Sequence, residues 1–309
     1  MTIDQHQIDP EIEGTATLSK KRVRKSTFRT LLSNPLALFG VIFLTVVFAA
    51  GILAPWIAPY SPSATDLAAT NAPPFSEGHL LGADASGRDI LSRLIWGTRQ
   101  TMIACILVLG VSLLFGLTGG LLAGFYRGRL EAVANFVSDV VMSLPGILTI
   151  VVVFTIAGPS IPLSMTVFGF MVAPSMYRLV RSVVISVRSE LYVDAAKVVG
   201  LSDTRIVGRH VLSAVRAPVI VQSAFVLATA VAIVGGVDLI GLGDPSQPSW
   251  GRVLQDAFNN IYTNPASLIW PASLISLTIL SFVLVGNALR DTLQAVSYTH
   301  LTLPTIYSV

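Results

Sequence analysis

The chain has 309 residues, of which 53% are hydrophobic and 12% charged, with a mean hydropathy of +0.72. A soluble domain carries about 25% charged residues, so too little polar surface remains for a water-soluble globule, and the surplus apolar surface calls for a bilayer. The net charge of +3 does not by itself indicate nucleic acid, and the one cysteine, Cys105 in an apolar run, excludes an internal disulfide and a zinc cluster.

Residues 1–34 are polar, with a basic cluster at Lys20, Lys21, Arg22, Arg24, Lys25 and Arg29 suited to anionic headgroups. Spanning a hydrocarbon core takes about 20 mainly apolar residues. Six windows meet that need: 36–54, 101–125, 132–158, 160–177, 217–237 and 264–289. The first starts too far in for a cleaved signal peptide and ends at an interfacial tryptophan, Trp56. The reading is of a helix over 35–54, an outside segment over 55–100 and a core over 101–290. The third and fourth windows meet at Gly158-Pro159-Ser160 and read as a tight hairpin.

Cationic residues orient the spans. With the N-terminus inside, 16 of the 20 Lys and Arg fall in inside segments, leaving Arg88, Arg93, Arg99 and Arg252 outside. Both termini are therefore expected in the cytoplasm, and the basic pI needs no nucleic-acid partner.

Turn residues punctuate the segment 55–100, and Asp84 and Ser86 are candidate caps for a helix starting near Arg88. Its arginines suit local salt bridges with Asp84 and Asp89, or contact with a docked extracytoplasmic partner involving Asp84, Gly87, Arg88, Asp89 and Arg93. Gly116, Gly120 and Gly124 form a close-packing stripe. Pro145-Gly146 in the third window predicts a pore-facing kink. Asp139, the acid inside that window, reads either as a proton or cation relay or as a helix–helix hydrogen bond near the inner mouth.

The stretch 178–216 is too long and too patterned for a plain link. Residues 188–200 read as one helix ending at Gly200, with Leu191, Ala195 and Val198 on one face and Glu190 and Asp194 on a polar edge. Ser202 or Asp203 is a candidate cap for a second short helix through His210 and Leu212.

Asp194-Ala195-Ala196, Gly200, Ile206 and Leu212 resemble the "EAA" signature of binding-protein-dependent ABC transporter permeases. Leu81 to Asp84, Gly87 to Arg93, and Pro248-Ser249-Trp250-Gly251 are similar to the C-type permease of dipeptide, oligopeptide and nickel importers. Two positions depart from the family pattern: Asp194 stands where Glu is usual, and Ser213 where Pro is usual.

The resemblance implies an all-α polytopic membrane protein of about six transmembrane helices, with the type I importer permease fold and cytoplasmic coupling helices. It implies a location in the bacterial inner membrane. The implied partners are a second homologous permease subunit, two ATP-binding subunits and an extracytoplasmic substrate-binding protein. Peptides lead as substrate, with nickel or another small solute as the alternative.

The chain has no phosphate-binding GxxxxGK[ST] loop and no HExxH pair. No cofactor and no metal is expected on this chain, with ATP and Mg on the partners. A stand-alone channel or carrier is the rival reading; it leaves the patterned segment 178–216 without a purpose. Residues 297–309 resemble a translated adapter or assembly scar and are set aside from fold reasoning.

Overall fold

A computed structural model of the protein describes residues 33–244 and 246–298, with side chains through residue 293. The basic cluster at 20–29 and the tail from 299 lie outside the described residues. Helix α1 (Pro35–Ile52) starts at an Asn34 cap, whose side chain accepts from the Leu36 and Ala37 amides, with proline at the first turn. It breaks into a short α2 (Ala54–Ile57). Then come α3 (Ile90–Tyr126), α4 (Gly128–Ser143), α5 (Gly146–Ala157) and α6 (Ile161–Arg188). The chain closes with α7 (Leu191–Val198), α8 (Asp203–Leu239), α9 (Trp250–Asn259) and α10 (Ile269–Tyr298).

Among the described residues five helices are long and apolar enough to cross a membrane, and the α4–α5 pair, bent by 82°, brings the number to six if it is counted as one broken span. The expected kink at Pro145 is thus a full break. Leu144 and Pro145 are both extended, and Pro145 caps α5 rather than sitting inside a helix. A residue before proline is pushed out of the helical region, which stops α4 at Ser143.

Two spans are longer than their charge-free windows. α3 starts at Ile90, not Thr101, and α6 runs on from Tyr177 to Arg188. Three of their arginines are paired with carboxylates, Arg93 with Asp84 and Asp256, Arg181 with Glu131 and Arg178 with Asp139, while Arg99 and Arg188 lie over the rings of Trp96 and Phe125. The second short helix expected at 203–212 is instead the beginning of α8. A wide turn at Val207–Val211 carries the chain into the span without a stop.

Helix association in lipid rests on close packing rather than on the hydrophobic effect. The stripe Gly116, Gly120, Gly124 supplies it by laying α3 parallel to α6. A Cβ at Gly116 would sit 2.6 Å from the Ala173 carbonyl oxygen, and one at Gly120 2.6 Å from the Val180 Cβ. Gly40 on α1 likewise meets the Ser281 backbone on α10, and Gly286 meets Ala224 on α8. The core follows α3, α6 and α8, with Cys105, Met165, Met176, Val180 and Val231 inside it.

These contacts predict that Gly120→Leu, which forces α3 off α6, destabilises by about 1–3 kcal/mol or more. Gly110→Leu on the same helix, where a Cβ meets nothing within 4 Å, leaves stability unchanged. Thermal unfolding of the detergent-purified protein separates the two.

Candidate functional site

The ends of α3 and α6 and the starts of α4 and α8 gather at one end of the bundle, marked by Arg127, Arg181 and Arg188. Helix α7 hangs there between two spans. It is shorter than expected: Arg188 closes α6, Ser189 turns the chain, and Glu190 stands before the first residue of α7 with no side-chain cap bond. α7 ends in a complete glycine stop. The Leu201 amide donates to the Ala196 carbonyl at 3.1 Å and the Gly200 amide to the Lys197 carbonyl at 2.9 Å. Gly200 takes φ +84°, which a side chain would resist.

One residue of α7 is fully buried: Val193, in the same apolar cluster as Val187, Ile206, Val211 and Val215. Ala196 packs against that cluster and Ile206 is completely buried in it. The shared face of Leu191, Ala195 and Val198 points outward. Leu191 is 86% exposed, Val198 89% and Val199 79%. Asp194 lies on the surface in a 3.1 Å pair with Lys197, and Leu212, exposed, is the first residue of the straight part of α8. Ser202 stands at the cap position of α8, but its hydroxyl pairs with Thr204 rather than capping. So Val193, Ala196 and Ile206 hold the knob while Leu191, Ala195, Val198 and Val199 present it.

At the opposite end lies an ion cluster. Arg93, 3% exposed, bonds Asp84 and, at 2.9 Å, Asp256. Arg88 reaches the same carboxylates at 2.8 and 3.0 Å, and Arg252 approaches Asp256 at 3.5 Å. Asp256, on the buried edge of α9, was not singled out from sequence; its i,i+4 spacing from Arg252 was the available signal.

Two expectations are corrected here. The cap of α3 is Asp89, which accepts from the Ser92 amide at 2.7 Å, because Asp84 is spent on the Ser86 and Arg88 amides and the two arginines. Asp89 then pairs with His79 at 3.0 Å and with no arginine. Gly87 lets the loop cross the Asp66 backbone, where a Cβ would collide. The Trp250 indole N–H donates to the Leu94 carbonyl at 3.0 Å and clamps α9 onto α3, with Gly97 packed on Ser249.

The third predicted element, Pro145-Gly146, lies on the broken span. Asp139 on α4 bonds Arg178 on α6 at 2.7 Å, which agrees with the helix–helix reading. No group of three or more His, Cys, Asp or Glu able to hold a metal occurs among the described residues.

A knob held between two spans is geometry for contact, not for chemistry, and comparisons name the setting. Residues 116–298 match the model of the binding-protein-dependent transport system inner membrane component. The chain belongs to that family. Residues 24–74 match the N-terminal transmembrane domain of oligopeptide transport permease C.

The dipeptide transport system permease protein of Alkalihalophilus pseudofirmus is 32% identical over 95% of both chains. The glutathione transport system permease protein of Pectobacterium atrosepticum is 31% identical over 85% of this chain and 89% of its own. Among solved structures, the MetNI methionine ABC transporter matches with a TM-score of 0.52 at 15% identity, over 66% of this chain and 97% of that one. The protein is thus a permease subunit of an ABC importer, with the type I fold, and not its ATPase.

For this permease the ion cluster around Arg93 sets a measurable dependence. Asp256→Asn leaves the buried Arg93 with Asp84 as its one remaining carboxylate and costs about 1–3 kcal/mol, less than the roughly 3–5 kcal/mol of a fully unpaired buried charge. A lower unfolding temperature of the purified protein reads it. Lys197→Ala, at the exposed pair, costs under about 1 kcal/mol.

Proposed function

We propose that this permease imports di- or oligopeptides across the bacterial inner membrane, driven by ATP hydrolysed on separate subunits. The single observation that carries the coupling half is the exposed apolar face of Leu191, Val198 and Val199 on a helix fixed at both ends. Exposed apolar residues rimmed by polar ones mark a protein contact, and Asp194, Lys197 and Glu190 supply the rim. α7 seats in a cleft of an ATP-binding subunit. Val193 and Ile206 pass its displacement to α6 and α8, so closure of two ATP-binding subunits rocks this chain against a second permease.

Peptide is the favoured substrate because the relatives' names speak of dipeptides, D,D-dipeptides and glutathione; nickel import is not favoured. Both termini lie in the cytoplasm, on the side of α7 and most of the cationic residues. The outer cluster around Arg88 and Arg93 faces an extracytoplasmic binding protein. This chain itself binds neither ATP nor Mg.

The test is reconstitution of the four transporter subunits in proteoliposomes with the binding protein. The wild type takes up dipeptide with ATP, and Leu191→Asp/Val198→Asp keeps its fold but loses transport and the ATP-binding subunits together. A double variant that transports at the wild-type rate contradicts the docking role of α7.

A further inference from the structure

The pair Asp139–Arg178 occupies an unexpected position. Asp139 lies eleven residues after Gly128, and Arg178 ten residues before Arg188. At 1.5 Å per residue both sit about 15 Å from the basic end of the bundle. Both therefore lie part-way along candidate membrane spans rather than at their ends. Yet the pair is not sheltered: the Asp139 side chain is 65% exposed and Arg178 52%.

The neighbouring pair is built differently. Glu131, two turns earlier on α4, is 13% exposed and held by both Arg181 and Arg127. Between them the Tyr177 hydroxyl donates to the Asn135 amide oxygen at 2.8 Å, which completes a polar seam along α4 and α6. At its deep end the seam runs into the break at Leu144 and Pro145, where Ser143 adds a hydroxyl.

Facing lipid, such a pair would be prohibitive, and an aspartate has too short a stem to carry its carboxylate out to the headgroups. Charges at this depth belong on a water-filled cavity or against protein. The bonding leaves ligand capacity on both partners. Asp139 uses Oδ1 and keeps Oδ2, and Arg178 uses Nη2 and keeps its other N–H donors. An acceptor and a planar donor side by side match a zwitterion, the ammonium meeting Asp139 and the carboxylate meeting Arg178.

We infer that Asp139 and Arg178 line the translocation passage at the break between α4 and α5 and hold the charged termini of a peptide in transit. The ligand class rests on the peptide reading above; the water-filled passage rests on exposure and depth alone.

Replacing the one cysteine, Cys105→Ser, gives a background for accessibility mapping in the fully assembled transporter. Asp139→Cys and Arg178→Cys react with a membrane-impermeant methanethiosulfonate, while Val46→Cys, on the exposed face of α1, does not. With the binding protein present, a dipeptide at about ten times its dissociation constant slows both reactions about tenfold, and a disaccharide leaves them unchanged. Asp139→Asn, which is near-isosteric, and Arg178→Gln, which removes the guanidinium but keeps a polar amide, are both expected to assemble at wild-type yield and to lower dipeptide uptake about tenfold, the worth of one charge-assisted hydrogen bond.

No reaction at either position places the pair against another subunit and overturns the inference. Reaction that dipeptide does not slow overturns it equally. A wild-type transporter that takes up no dipeptide contradicts the peptide reading itself. Normal wild-type uptake with unprotected cysteines contradicts only this site.

Discussion

The glycine stripe on α3 sets where everything else can lie. Gly116, Gly120 and Gly124 bring α3 against the backbone of α6 over three successive turns, with Ala173, Tyr177 and Arg181 carbonyls in the contact. No larger residue permits that approach. Because α3 and α6 run parallel and end together, their ends define one face of the bundle. α7 leaves α6 there, and α4 starts there to lay Glu131, Asn135 and Asp139 along α6. Polar residues then stabilise a seam that packing alone has aligned.

At the other end, charge rather than small side chains does the joining. Asp84, Arg88, Arg93 and Asp256 tie the loop before α3, α3 itself and α9 into one unit. A buried guanidinium is tolerable only with its carboxylates in place, so the loop before α3 and α9 are bound to move with α3. The Trp250 bond to Leu94 adds an apolar anchor at the same junction. A rigid charged end coupled through parallel helices to a knob at the opposite end is suited to transmitting motion.

Much of this was legible in the sequence. Apolar windows located the candidate spans, the glycine spacing marked a close-packing stripe on α3 without naming α6 as its partner, and Gly200 marked the stop of α7. The missing parts were those in which charges are hidden by partners distant in the chain. Windows free of Asp, Glu, Lys and Arg truncated α3 and α6, because nothing local reveals that Arg93 meets Asp256 or that Arg181 meets Glu131. Burial was legible in pattern but not in sign. Leu191 and Val198 share a face, and only the fold shows that Val193 is the buried anchor and that face the exposed one. The run from Asp203 was read as a separate short helix through His210 and Leu212, whereas a wide turn over Val207–Val211 carries it straight into the span.

The central claim is that the exposed face of α7 is the contact through which ATP hydrolysis reaches this chain. The most direct measurement is disulfide cross-linking from Val198→Cys, in the Cys105→Ser background, to a cysteine scanned along the cleft of the ATP-binding subunit. The account predicts a cross-link in the assembled transporter whose yield changes when ATP is trapped. Absence of any cross-link to that subunit, in a transporter that still takes up its substrate, would contradict it.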